Sequence, residues 1–299
     1  MAESDYQILD ERFRGLIRTS ANIERLHGGC RWTEGPVYFP AHRSLLWSDI
    51  PNDRMLRYDE ASGQVGVFRQ PANYTNGNTV DRQGRLVSCE HGGRRVVRTE
   101  HDGAITVLAD CFDGRRFNSP NDVVVRSDGS IWFTDPSYGI DSNYEGHKAD
   151  SEIGARQVYR IDPATGSVRV VADDFTQPNG LAFSPDERRL YIADTGLGDG
   201  VMRVFDVGDG GKLSGGGEFA RCKTGRYDGF RIDEEGRVWT SAGAAIHCHE
   251  ANGELIGSIV MPERVSNLVF GGYKRNRLYI TATSSLYSVL VAVSGAKTF

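Results

Sequence analysis

Ser130-Ile131-Trp132-Phe133-Thr134-Asp135 is a β-branched and aromatic run of strand length, preceded by the turn signal Asp128-Gly129. The phrase returns as Leu45-Leu46-Trp47-Ser48-Asp49, Arg85-Leu86-Val87-Ser88, Arg189-Leu190-Tyr191-Ile192-Ala193-Asp194, Arg237-Val238-Trp239-Thr240 and Arg277-Leu278-Tyr279-Ile280-Thr281. Another strand follows most copies and ends in a turn, as in Leu56-Arg57-Tyr58-Asp59 and Tyr159-Arg160-Ile161-Asp162. Each copy can be anchored on the polar residue that opens its first strand. The anchors are Glu34, Asn76, Asn121, Asn179, Asp228 and Asn267, with spacings of 42, 45, 58, 49 and 39. Periods near 40 to 50 that hold four strands each describe propeller blades rather than a helical solenoid. The sequence therefore predicts an all-β, six-bladed β-propeller, with residues 1–299 as one domain.

Two departures from the period carry information. The long third interval holds a polar stretch poor in strand formers, residues 138–155 (YGIDSNYEGHKADSEIGA). It reads as a long loop inserted in blade 3, and such loops in compact domains are often functional. The last copy has three strands, ending near Val293, and lacks a fourth. Asn22-Ile23-Glu24-Arg25-Leu26-His27 is placed to supply it, so that strands from both ends of the chain close the ring and remove two unpaired edges. Residues 1–21 form an N-terminal extension. Phe13, Leu16 and Ile17 have helical spacing there, so residues 8–18 read either as a short helix or as a disordered tail.

Composition narrows the function. With 39% hydrophobic residues, 25% charged residues and 36 glycines the chain is globular rather than disordered, and no apolar run approaches membrane-helix length. A net charge of −5 excludes nucleic acid and anionic membranes as natural partners. Met1 to Tyr6 are polar and acidic, unlike a signal peptide, which gives a soluble cytoplasmic protein, monomeric or weakly self-associating, as the expectation. Five scattered cysteines without a CxxC pair fit neither a disulfide framework nor a zinc cluster.

In a propeller the first strand of each blade lines the central channel, so the six anchors form a ring of side-chain oxygens on the axis. Turn chemistry accounts for the asparagines and Asp228, but poorly for Glu34. Crowding carboxylates and amides in a channel costs desolvation energy unless positive charge compensates. A hard divalent cation would compensate, and oxygen-only donors favour calcium, with magnesium or manganese as substitutes and zinc disfavoured without His or Cys. A cation site and a purely structural ring both remain open at this point. Asp49, Glu90, Asp135 and Asp194 end second strands on the same face. Glu90, Asp135 and Asp194 are candidates for orienting the ring amides, whereas Asp49 reads as a turn former.

Other motifs carry less. His247 and His249 share a strand face, yet the repeat aligns His249 with the packing residues Tyr58, Thr99, Ile161 and Phe205. The glycines between Gly196 and Gly200 lead into a strand rather than a helix, which excludes a dinucleotide site. There is no GxSxG or Walker A pattern. His91 reads as a surface-loop histidine or a substrate contact.

Several motifs taken together resemble the gluconolactonases, with senescence marker protein (regucalcin) and luciferin-regenerating enzyme, and more distantly the paraoxonases. They are Thr33-Glu34-Gly35-Pro36-Val37-Tyr38, Asn118-Ser119-Pro120-Asn121-Asp122, Phe133-Thr134-Asp135-Pro136, Gln177-Pro178-Asn179-Gly180-Leu181-Ala182-Phe183-Ser184 and Tyr227-Asp228-Gly229. The resemblance runs from about Asn22 to the C-terminus and lies closest to the bacterial gluconolactonases. It implies one divalent ion, usually calcium, with Glu34, Asn179 and Asp228 as ligands and Asn121 binding metal or substrate beside them. Asp228 also matches the family's proposed general base. Asn76, His91 and Asn267 are left as candidate substrate contacts. In the animal sugar-lactonase branch an arginine stands two residues before the asparagine matched by Asn121, where this chain has Ser119; Arg116 lies in another register.

The expected activity is therefore metal-dependent hydrolysis of a small-molecule sugar lactone, such as gluconolactone, to the aldonic acid. The ion would polarise the carbonyl, and Asp228 or metal-bound water would activate attack. The competing expectations are a non-enzymatic calcium-binding or protein-binding propeller, and a strictosidine-synthase-like propeller that needs no metal.

Overall fold

A computed structural model describes residues 5–196 and 198–297. Six antiparallel sheets follow one another along the chain as the blades of a β-propeller, in the repeat order that the anchors predict. Blade 1 comprises Thr33–Phe39, Ser44–Asp49, Arg54–Asp59 and Val65–Arg69; blade 2 comprises Thr75–Val80, Leu86–Glu90, Arg95–Thr99 and Ile105–Ala109. Blade 3 is built from Val123–Val125, Ile131–Asp135, Gln157–Ile161 and Val168–Ala172, and blade 4 from Pro178–Phe183, Arg189–Asp194, Val201–Val207 and Leu213–Arg221. Blade 5 contains Phe230–Ile232, Val238–Ser241, Ala245–His249 and Leu255–Val260; blade 6 contains Val265–Gly271, Arg277–Ala282 and Ser285–Leu290.

The recurring phrase is near-continuously apolar for a physical reason. It forms the second strand of each blade, and both of its faces lie under neighbouring blades. Ser44–Asp49, Leu86–Glu90 and Ile131–Asp135 are buried at every position, whereas the outer strand Val65–Arg69 exposes its middle three residues. Six apolar clusters sit one between each pair of consecutive blades. The last joins Tyr38, Leu45 and Trp47 of blade 1 to Tyr279 and Leu286 of blade 6. This sixth cluster closes the ring.

Closure also uses the strand expected for it. Glu24–His27 pairs antiparallel with Ser285–Leu290 and completes blade 6. The extension before it differs from the expectation of a helix over 8–18 or a disordered tail. Only Glu11–Arg14 is helical, and Gly15 caps it. Tyr6–Ile8 instead adds a fifth strand to blade 5 by pairing with Leu255–Val260. The helical spacing reflects burial rather than helix length, since Phe13, Leu16 and Ile17 all pack into the cluster between blades 5 and 6. The five cysteines are free, and no helix among the described residues is long and apolar enough to cross a membrane.

Candidate active site

The ring residues sit where the first strands leave their ladders. Pairing skips between Glu34 and Val37, Thr75 and Asn78, Pro178 and Leu181, and Val265 and Asn267. Asn121 and Asp228 precede their strands altogether. Bulges of this kind re-aim side chains and are common beside active sites. Four anchors are followed by glycine, and the packing explains it. A Cβ on Gly35 would stand 2.0 Å from the Asn76 carbonyl oxygen, and on Gly77 2.4 Å from that of Asn121. On Gly180 it would stand 2.2 Å from the Asp228 carbonyl oxygen, and on Gly229 1.9 Å from the Asn267 amide carbon. Each glycine lets the next blade's anchor close in toward the axis.

Hydroxyls on the second strands of blades 1, 3 and 5 and on the first strand of blade 6 fix the same backbone. Ser48 Oγ donates to Asn76 O at 2.7 Å, Thr134 Oγ1 to Asn179 O at 2.8 Å, and Ser266 Oγ to Thr33 O at 2.6 Å. Ser241 Oγ accepts from Asp228 N at 2.8 Å. The strand-end carboxylates act one step earlier along the chain. Asp135 accepts from Asn118 N and Ser119 N, both at 2.8 Å, and Asp194 from Thr176 N and Gln177 N at 2.9 Å. Asp49 accepts from Arg31 N at 2.9 Å, and Glu90 from Asn73 Nδ2 at 3.1 Å. The expectation that Glu90, Asp135 and Asp194 orient the ring amides is thus corrected. They pin the loops two to three residues ahead of the anchors, and Asp49 does the same. A strand-end side chain reaches adjacent backbone N–H groups more readily than an amide at the axis.

Two carboxylates meet on the axis under strain. Glu34 Oε2 accepts from Gly35 N at 2.7 Å and Asn267 Nδ2 at 3.0 Å. Burial and the nearby charge of Asp228 nonetheless raise its carboxyl well above the ordinary range. Burial pushes Asp228 up to about 7; Arg264 opposes this, while Glu145 and Asp122 add repulsion. Asp122, beside Asn121, is a third carboxylate near the axis and is buried. Among the described residues its Oδ2 has no hydrogen-bond partner, and a cation, Arg231 Nη1, lies 4.0 Å away.

The remaining ring amides are unequal. Asn267 spends both ends of its amide, Nδ2 on Glu34 and Oδ1 on Leu268 N at 2.8 Å, and so serves to hold Glu34. Asn76 Nδ2 donates to His91 Nε2 at 3.1 Å. His91 is buried rather than on a surface loop, and its Nδ1–H donates to Glu145 O at 3.0 Å. That pattern fixes a neutral imidazole, and burial holds it down at about 4. Because the folded value lies below the unfolded one, the stability from this group is complete above about pH 6.5 and is lost as the pH falls toward 4. An imidazole NMR titration should show His91 neutral, with hydrogen on Nδ1, at pH 6; a midpoint near 6.5 would refute this arrangement.

The insertion after blade 3's second strand crosses the mouth. It begins with the single helical turn Tyr138–Asp141. Tyr138 Oη and Thr195 Oγ1 share a hydrogen bond at 2.5 Å. Gly139 N donates to Ser119 Oγ at 3.0 Å, and Ser119 Oγ donates to Pro136 O at 2.7 Å. Ser119 is therefore spent on anchoring the insertion. Farther on, His147 packs edge-on against Tyr74 at 5.1 Å, and the Arg31 guanidinium lies 5.2 Å from the Tyr144 ring centre. The Glu145 carboxyl has no protein hydrogen bond among the described residues, and burial pushes it up to about 7.

The insertion's length flags it in the sequence, but Tyr138 and Glu145 could not be singled out there. Asp122 is marked in the sequence only by its place beside an anchor. His247 and His249 form no centre: His249 bonds Tyr227 Oη at 3.0 Å and Gly253 O at 3.0 Å, the packing role the repeat indicated. No three His, Cys, Asp or Glu side chains converge for a metal among the described residues. The axial donor set consists instead of two carboxylates with amides, a hard-oxygen set that fits calcium in type and charge. A separate cavity of about 460 Å³ opens at the far end of the channel, lined by strand ends such as Val80, Phe183 and Phe270, away from the ring.

Residues 32–284 match the family described as the SMP-30/gluconolactonase/LRE-like region. A gluconolactonase of Zymomonas mobilis is 28% identical over 308 residues, covering 95% of this chain and 85% of its own. A pentonolactonase of Haloferax volcanii is 29% identical, covering 84% of this chain and 81% of its own. The solved structure of a Xanthomonas campestris gluconolactonase superposes with a TM-score of 0.91 at 37% identity, covering 96% of this chain and 94% of that one.

Proposed function

Because the chain belongs to the SMP-30/gluconolactonase/LRE-like family, we propose that it is a metal-dependent lactonase, hydrolysing a sugar lactone to the open hydroxy acid at the axial ring. The observation that carries the metal is the convergence of Glu34 and Asp228. Glu34 is buried and Asp228 half-buried, both are raised, and no protein cation pairs with either within 4 Å among the described residues. Glu34, Asn121, Asn179 and Asp228 would hold one divalent cation, calcium by donor type, with two carboxylates matching its charge. When bound, that ion supplies Lewis-acid polarisation of the lactone carbonyl.

The chain's own residues do the rest. Gly35 N and Asn267 Nδ2 hold Glu34 Oε2 in place. Asp228 takes a proton from the attacking water as its oxygen bonds to the carbonyl carbon. It then returns the proton to the ring oxygen as the carbon–oxygen bond breaks, leaving acid and alcohol on one chain. The insertion, fastened at Ser119, His91 and Thr195, limits access of bulk water to the mouth.

The test is a panel of sugar lactones assayed before and after chelation, with metal content measured. Turnover should fall by about tenfold or more on removal and return with calcium. Full activity in verified metal-free protein would overturn the metal assignment, and inactivity on every lactone would overturn the reaction.

A further inference from the structure

The loops that lead into blades 5, 6 and 1 carry Arg226, Arg264 and Arg31, two or three residues ahead of Asp228, Asn267 and Glu34. All three side chains are exposed. None has a carboxylate within 4 Å among the described residues, although many other arginines here do, as Arg54 does with Asp49 and Arg95 with Glu90. An arginine kept only to balance the acidic ring would pair with it directly. Blades 5, 6 and 1 are consecutive, so the three form a crescent on one side of the mouth. On blades 2, 3 and 4 the corresponding positions are Asn73, Asn118 and Thr176, and there the insertion docks through His91, Ser119 and Thr195.

Two of the three arginines are held in place without a carboxylate partner. Arg264 lies 5.8 Å from the Trp32 ring centre, and Arg31 lies 5.2 Å from that of Tyr144 at the insertion's tip. Aromatic contacts orient a guanidinium while leaving its N–H donors free for an oxyanion. At ~3.3 Å per residue, two or three residues of chain put these groups up to about 7–10 Å above the ring. A lactone whose carbonyl sits on the axis therefore presents its far substituent to the crescent.

We propose that Arg31, Arg226 and Arg264 form a recognition site for an anionic substituent at the end of the lactone remote from its carbonyl, making acidic sugar lactones the preferred substrate class. The site rests on the lactonase reading and deepens it. Phosphate, sulfonate and carboxylate share the chemistry: planar or tetrahedral oxyanions that accept paired guanidinium hydrogen bonds.

The experiment compares glucono-1,5-lactone with matched lactones bearing a 6-phosphate, a 6-sulfonate or a 6-carboxylate. At least one anionic lactone should exceed the neutral one by about tenfold in kcat/KM, chiefly through KM, and the advantage should shrink between about 50 and 300 mM salt. The arm with the largest advantage identifies the anion. In Arg31→Gln/Arg264→Gln protein the ratio of anionic to neutral kcat/KM should fall toward one, and Arg31→Lys/Arg264→Lys should restore part of it. Because both substrates are read on the same protein, partial misfolding does not move the ratio. A wild-type preference for the neutral lactone, or a ratio unchanged in the double glutamine variant, overturns the crescent alone. No turnover of any lactone overturns the lactonase reading, and the crescent with it.

Discussion

Asp228→Asn is expected to lower kcat for lactone hydrolysis by about 10²–10⁴-fold when assayed at saturating calcium. The substitution preserves shape and one oxygen donor but removes the only function a base requires, an acceptor for the proton of water. Asp228 suits that task because burial and the charges of Glu145 and Asp122 push it up to about 7 against the opposing pull of Arg264. Protonation disables a base, so wild-type kcat/KM should decline as the pH falls through the acid limb. A cation held beside Asp228 adds positive charge and moves that limb below 7. The variant should lack the limb. Near-normal turnover, with metal stoichiometry verified on the same sample, would remove Asp228 as the base.

Why the ring was legible and its surroundings were not follows from how each is encoded. Blade identity rests on short-range pattern, because the buried second strand must be apolar on both faces, and that leaves Trp132 and Trp239 at matching places in the repeat, each facing the next blade. Alignment on the repeat then brings Glu34, Asn76, Asn121, Asn179, Asp228 and Asn267 to one height by geometry alone. The roles of these residues depend on contacts between blades, which no local pattern carries. Asn267 is a partner of Glu34 across 233 residues of chain, and the His91 ring is bonded by Glu145 O of a different blade's insertion. Asp135 and Asp194 look like ligand-orienting groups in sequence. Their oxygens go to the backbone N–H groups of the preceding loop, since an unpaired buried N–H costs as much as a lost hydrogen bond. The N-terminal segment is helical over only one turn for a similar reason. The spacing of Phe13, Leu16 and Ile17 records which side chains blade 5 covers, while Gly15 ends the helix after one turn.

Gly35→Ala should lower stability by about 2–5 kcal/mol, because two separate costs add. The residue has φ near +52°, in the left-handed region, where a Cβ costs roughly 1–2 kcal/mol. That Cβ would also meet the Asn76 carbonyl oxygen at 2.0 Å and Asn78 Nδ2 at 2.8 Å, and overpacking of a buried site costs about 1–3 kcal/mol more. The obstructing atom is backbone, fixed by Ser48 Oγ at 2.7 Å and Asn78 Nδ2 at 3.0 Å, so it cannot swing aside as a flexible side chain would. Gly63 supplies the control. Its φ is near +72° but nothing lies within 4 Å of its Cβ position, so Gly63→Ala should incur the conformational cost alone. Urea unfolding of the two variants separates the contributions, and the excess loss in Gly35→Ala measures how tightly blades 1 and 2 close around the axis. Equal losses would mean that the first two anchors can move apart freely. The glycine after Glu34 would then have no part in setting the ring, and the repeated anchor–glycine pairs would need another cause.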